Sequence, residues 1–406
     1  MRSAKPSART LLVLATNTWN AYNDWGGRSL YTGGHRVSFR RPFGRGMLWR
    51  DPVERDDRKA RPRRRGEEPD ADGDAYQQWR FAHGYPGYVG SAGWYSYERR
   101  FVDWAERRGH ELDLAVSSDL DDVAGLLDGY ELVLGVGHDE YWSAGGRDAV
   151  ERFVADGGTY ASLSGNTMFW HVRPTDDGAM VCHKYKAHLQ DPMLATEPSA
   201  ISGMWCDPLV GRPESRFLGA GSMFGLYSRF GRATPRGVGG FVVYRDDHWL
   251  FEGSGLGYGD VLGADDAIVG YETCGTRLGW DDEGLPVMEA DPVLPDPADV
   301  EVVAWTPSSN LRVGEYPASI AALEDQGDLE FVAERAFGGG PQAERRARHG
   351  NAVLLVCRPF GQAGGEVITA GTTDWVFGLD DPQVAQVTEN ILRRGSTPIT
   401  DAAVVG

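Results

Sequence analysis

Buried strand runs alternate with segments of helical spacing through the first half of the chain, and this restricts the fold more than any other feature. Thr10 to Ala15 is an apolar run of strand length. Glu98 to Arg108 places Phe101, Val102, Trp104 and Ala105 on one face with charges opposite, the spacing of an amphipathic helix. Gly109 follows as its terminator. Leu112 to Val116 alternates like a strand, and Asp119-Leu120-Asp121-Asp122 opens a short helix whose acids suit the helix dipole. Leu132 to Val136 is a buried strand run, Ser143 caps a helix carrying Val150, Phe153 and Val154, and Thr159 to Leu163 is the next strand. Such alternation predicts an α/β fold: a three-layer parallel sheet with right-handed crossovers and helices on both faces.

The order is broken at 50–74, where Arg61-Pro62-Arg63-Arg64-Arg65 precedes Glu67-Glu68-Pro69-Asp70. Without apolar periodicity this reads as a mobile charged insertion. The second half is less regular. Phe241–Tyr244, Trp249–Phe251, Ala267–Val269, Val302–Trp305, Val353–Val356 and Glu366–Ala370 read as short strands. Asp281 to Asp299 reads as a loop and Val384 to Leu392 as a closing helix. The expected organisation is one large catalytic domain over 1–406. Within it lie an α/β half (5–180) and a β-rich half (181–406) whose strands and helix return to the core.

Bulk properties exclude whole classes of partner. With 41 basic and 59 acidic residues the net charge is −18, which disfavours nucleic acid and anionic membrane surfaces. Nothing approaches the ~20 apolar residues of a membrane span. The run Leu11–Ala15 behind Met1-Arg2-Ser3-Ala4-Lys5 is too short for a secretory signal, so a cytoplasmic location is expected. Cys182, Cys206, Cys274 and Cys357 form no close pair. Buried free thiols are expected rather than a zinc ribbon or a disulfide framework.

In an open parallel sheet, ligands bind beyond the carboxyl ends of the strands. Three segments lie there. Asn17 to Tyr31 is dense in Asn, Trp, Tyr and Gly, suited to a small-molecule pocket or to an aromatic loop packed for structure. Gly137-His138-Asp139-Glu140-Tyr141-Trp142 sets three ionisable groups directly after a buried strand. An acidic cap for the next helix accounts for one of the acids but leaves His138 unexplained. Ser164-Gly165-Asn166-Thr167 offers an amide that orients a ligand, or a simple Asn turn. The chain has no HExxH, no Gly-x-Ser-x-Gly and no P-loop.

At these residues the chain resembles the catalytic domain of the N,N-dimethylformamidase large (β) subunit family. The matching stretches include Asn20–Asn23, Gly27–Tyr31, Val37–Pro42, Gly137–Trp142 and Ser164–Asn166. Further stretches are His248-Trp249, Gly253–Leu256, Gly270–Glu272 and Gly371–Trp375. The resemblance implies a class I glutamine amidotransferase-like scaffold and a mononuclear iron, as Fe3+, held by Tyr22, Tyr31 and Glu140. It implies His138 beside the metal, with Asn166 and Glu272 completing the reactive pocket. Tyr85, Tyr88, Tyr95 and Tyr97 compete with Tyr31 for the second tyrosine, and Cys274 stands where a further acid is expected. The implied activity is hydrolysis of a small amide substrate, with a small partner subunit or a homo-oligomer as the expected assembly. Two phenolates and a carboxylate are hard donors whose charge matches Fe3+. A related enzyme acting on carbohydrate-like substrates, with Trp19, Trp25, Trp142 and Trp170 as stacking platforms, is the alternative; a non-catalytic binding module is the third.

Overall fold

The computed structural model describes residues 6–50, 82–86, 88, 90–228, 239–313, 315 and 327–394. The charged segment 50–74 falls outside the described residues except for Arg50.

Fifteen strands are described: β1 (Thr10–Leu14), β2 (Arg36–Ser38), β3 (Asp113–Val116), β4 (Leu132–His138), β5 (Tyr141–Ser143), β6 (Thr159–Gly165), β7 (Trp170–Thr175), β8 (Ala179–Val181), β9 (Phe241–Val243), β10 (Val261–Leu262), β11 (Leu278–Trp280), β12 (Pro286–Met288), β13 (Val300–Ser308), β14 (Gly350–Cys357) and β15 (Val367–Ala370). Nine of them form the central sheet in the order β10-β9-β13-β14-β15-β6-β4-β1-β3. From β15 to β3 all neighbours are parallel, with Leu134 beside both Leu12 and Ala161 in register. From β10 to β15 every pairing is antiparallel. The sheet is therefore mixed, and the second half of the chain supplies its antiparallel wing together with the parallel strand β15.

Side chains leave alternate faces of a strand, and both faces here are covered. Leu12, Leu134, Leu163 and Ile368 share one cluster with Phe101 and Trp104 of helix Glu98–Arg107 and Val387 and Ile391 of helix Pro382–Arg394. Leu11, Val13, Val133 and Val367 share another with Val150 and Val154 of helix Ala144–Ala155. Full burial of each such side chain contributes ~1.5–3 kcal/mol, so a slip of register by one residue would exchange the two cores. Helix Ala144–Ala155 is capped by Ser143, whose Oγ accepts from Gly146 N at 3.0 Å. Gly109 takes a positive φ of 81° after helix Glu98–Arg107.

Several local expectations fail in the second half. Trp249–Phe251 is a 3-10 turn, because His248 accepts from Leu250 N and closes it. Ala267–Val269 is a turn with Ala267 at φ 51°, and the short apolar run belongs to a buried bend. Asp281–Asp299 holds strand β12, paired with β11, rather than being all loop. Helices Asp328–Phe337 and Gly340–Arg348 were not anticipated. The four cysteines are free and buried. Among the described residues, no helix is long and apolar enough to cross a membrane.

Candidate functional site

The carboxyl ends of β1, β4 and β6 deliver side chains to one place. After β1 the chain enters helix Thr16–Tyr22 and Tyr22 is its last residue. Tyr22 thus sits on a helical turn, which buries Trp19, Ala21 and Tyr22 together, and not on an aromatic loop. The chain then doubles back through Gly26, at φ 72°, and Leu30 N donates to Ala21 O at 3.0 Å. This return stacks the Tyr31 ring on Tyr22, with centroids 4.3 Å apart and planes at 24°. Of the four competing tyrosines, Tyr88 packs against this pair, 5.5 Å from Tyr22 and 5.0 Å from Tyr31 between centroids. Tyr85 and Tyr95 lie under arginines instead, and Tyr97 packs beneath Gly137.

Both phenols reach Glu140, between β4 and β5. Tyr22 donates to its Oε2 at 2.8 Å, and Tyr31 lies 3.2 Å from each carboxylate oxygen. The indole of Trp170 donates to Glu140 Oε1 at 2.6 Å. The backbone is fixed as well, since Thr18 Oγ1 accepts from Glu140 N at 2.9 Å. Glu140 is buried, so its carboxyl is pushed up to about 7; Glu272 adds to this while His138 and Lys184 oppose it. Burial, then the charge of Glu140, holds both phenols well above their ordinary range. Without a strong cation they therefore keep their protons.

His138 ends β4. The strand needs Gly137 just before it, at φ 79°, where a Cβ would lie 2.3 Å from that of Tyr97. His138 Nδ1 lies 2.6 Å from Ser91 O, so Nδ1 carries the proton and Nε2 faces the acids. Nε2 is 2.5 Å from Glu272 Oε2 and 3.4 Å from Glu140 Oε2. Burial disfavours the imidazolium, but Glu272 and Glu140 outweigh it and raise the ring to about 9. These three donors lie within 4.8 Å of one another. Asp139 turns the other way, accepting from Trp142 Nε1 at 2.9 Å.

Asn166 follows β6 at φ 52°, a left-handed conformation that Asn tolerates. Its Nδ2 donates to Glu272 Oε2 at 3.2 Å and its Oδ1 accepts from Ser222 at 2.8 Å. Glu272 arrives from the second half of the chain because Gly165 has no side chain: a Cβ there would lie 2.0 Å from Glu272 O.

All six residues singled out from the sequence thus meet at one site. Lys184 was missed. Its Nζ sits 3.3 Å from the Tyr31 ring centroid, and its backbone is held at φ 50°. No periodicity or motif marks it. Trp19, Trp142 and Trp170 are buried, with indole N–H groups bonded to Glu98, Asp139 and Glu140, so they are not open platforms; Trp25 is half exposed.

Comparison with known proteins places the chain. An N,N-dimethylformamidase beta subunit of Alcaligenes sp is 42% identical over 72 residues, 18% of this chain and 9% of that protein. One from Paracoccus aminophilus is 38% identical over 72 residues, again 18% of this chain and 9% of that protein. Each match thus spans under a tenth of the relative's length. The family described as N,N-dimethylformamidase beta subunit-like, C-terminal, matches residues 1–390 of the 406, and the chain belongs to that family.

Proposed function

We propose that this chain is the catalytic module of a metal-dependent hydrolase of small, formamide-type amides, built on a glutamine amidotransferase-like scaffold, with Fe3+ held by Tyr22, Tyr31 and Glu140. The observation that supports it most is the convergence of two phenol oxygens on one buried carboxylate, 2.8 and 3.2 Å away. The residues fit such a cation in two further respects. The donor set is hard and carries three negative charges once the phenols ionise. A buried imidazole nitrogen, Nε2 of His138, stands 3.4 Å from the same carboxylate and adds a nitrogen donor beside the set. The chemistry that Fe3+ supplies there is Lewis acidity toward a carbonyl oxygen and toward water.

The protein's own groups do the rest. Glu272 accepts a proton from the attacking water and passes it to the leaving nitrogen, so that amide and water become carboxylic acid and amine. Asn166 keeps Glu272 aimed by its 3.2 Å hydrogen bond. His138, anchored at Nδ1 by Ser91 O, presents Nε2 to the same space and serves the developing oxyanion as a donor when protonated. The walls of Tyr22, Tyr88 and Tyr271 exclude water and favour a small substrate. The relatives' designation as beta subunits supports a working assembly with a partner chain.

A second arrangement has support in the same geometry: His138, Glu140 and Glu272 as an N/O/O set for a divalent ion. Metal content separates the two. Iron-loaded protein should show a visible tyrosinate-to-iron band and release amine from formamides. Glu140→Ala should abolish metal binding under either arrangement, and metal equal to wild type removes Glu140 as a ligand. Loss of iron in Tyr22→Phe with retention in His138→Ala supports the phenol set; the reverse refutes it.

A further inference from the structure

The two phenols at Glu140 have different surroundings. The oxygen of Tyr31 accepts a hydrogen bond from the Tyr141 hydroxyl at 2.8 Å. Its ring also carries the Lys184 ammonium 3.3 Å from the centroid, close enough for a strong electrostatic contact. Tyr22 has neither neighbour in the same position: its ring meets His138 at 5.3 Å and Tyr141 edge-on at 6.3 Å, and its hydroxyl goes to Glu140.

Neither neighbour of Tyr31 is incidental. Tyr141 is buried in β5, which pairs with β7 so that Tyr141 lies beside Trp170, the residue that grips Glu140 from the opposite side. The pairing of β5 with β7 therefore sets both the indole donor to Glu140 and the hydroxyl donor to Tyr31. Lys184 is buried too, and its non-glycine backbone is held in the left-handed region by N–H donation to Ser202 O at 3.0 Å. Such conformations persist only where the surroundings enforce them. Trp170 and Tyr185 complete the ring of aromatics about its Nζ, each centroid 5.4 Å away.

We propose that Tyr141 and Lys184 are positioning residues that make the two phenol ligands unequal, Tyr31 being the weaker electron donor to the cation and Tyr22 the stronger. This rests on the phenol–carboxylate set proposed above. A hydrogen bond and a cation both stabilise electron density on the Tyr31 phenolate. Less of that density is donated, and more energy is needed to transfer an electron from it. The consequence would be a cation held by two phenol oxygens that donate unequally, with Tyr22 supplying more of the charge than Tyr31.

The test is the visible spectrum of the iron-loaded full chain, read without any substrate. Tyr141→Phe, which deletes only the hydroxyl, should move the charge-transfer band to longer wavelength by on the order of 20 nm in the mid-visible, as expected for loss of one hydrogen bond to a charged acceptor. Lys184→Met should move it the same way from the other side of the ring, and serves if Tyr141→Phe does not fold. An unmoved band in both single variants of a protein that shows one overturns the inequality, as does a shift to shorter wavelength in both. Absence of any such band in iron-loaded wild type refutes the phenol set itself, and this inference with it.

Discussion

Gly165→Ala is the smallest change that should separate metal binding from turnover. The new methyl would sit 2.0 Å from Glu272 O and 2.5 Å from Thr373 N. These two backbone atoms are hydrogen-bonded to each other at 3.0 Å, so neither moves alone. Restoring an ordinary contact of 3.4 Å requires the Glu272 segment to retreat by about 1.4 Å from the end of β6. The overpacking should cost ~1–3 kcal/mol of stability. The functional cost is separate, because a shift of that size stretches the 3.2 Å bond from Asn166 to Glu272 beyond hydrogen-bonding range and misplaces the base. A misplacement of ~1 Å lowers the rate by roughly 100-fold. Tyr22, Tyr31 and Glu140 do not touch this junction, so iron content and the visible band should match wild type. The assay pairs amine release from N,N-dimethylformamide with metal analysis and a thermal melt. Wild-type turnover by a folded, iron-replete Gly165→Ala protein would refute the assignment of Glu272.

Three further changes probe the support around the site. Glu98 is buried and raised to about 8 by desolvation, accepting from Trp19 Nε1 at 2.9 Å and Ala15 N at 3.2 Å. The folded chain keeps that proton while the unfolded one has lost it, so stability should fall by ~1.4 kcal/mol per pH unit as pH rises from about 4.5 to 8. Glu98→Gln should flatten that part of the melting-temperature profile; parallel profiles would refute it. Trp170→Phe removes the 2.6 Å donor to Glu140 and should weaken iron retention against a chelator by roughly 10–100-fold. Arg394→Ala removes the 3.0 Å ion pair to buried Glu366, leaves it the 2.6 Å pair to Arg358, and should cost ~1–3 kcal/mol in denaturant unfolding.

Much of the first half was legible because burial on two faces writes itself into continuous apolar runs. Leu132–Val136 and Thr159–Leu163 are such runs, and each lies within a strand buried along its whole length. Ser143 and Gly109 were legible for a local reason, since a cap depends on the next turn alone. Trp249–Phe251 and Ala267–Val269 misled because a short apolar run looks the same in a strand and in a buried turn. The short strands β2, β5, β7 and β8 carry no usable period and exist through their pairings.

For the site, residue types and their place after strands marked Glu140, His138 and Asn166 as candidates, and resemblance singled out Tyr22, Tyr31 and Glu272. These are properties of the chain read locally or motif by motif. Convergence is different in kind. Glu140 and Tyr22 are separated by 118 positions, and Asn166 and Glu272 by 106. Only the order of β1, β4, β6 and β15 in the sheet, and the space left by Gly165, bring them within bonding distance. Lys184 and the hydroxyl of Tyr141 belong wholly to that second category. Nothing in their sequence neighbourhoods specifies the ring they meet, because a contact between distant segments is fixed by packing rather than by local preference.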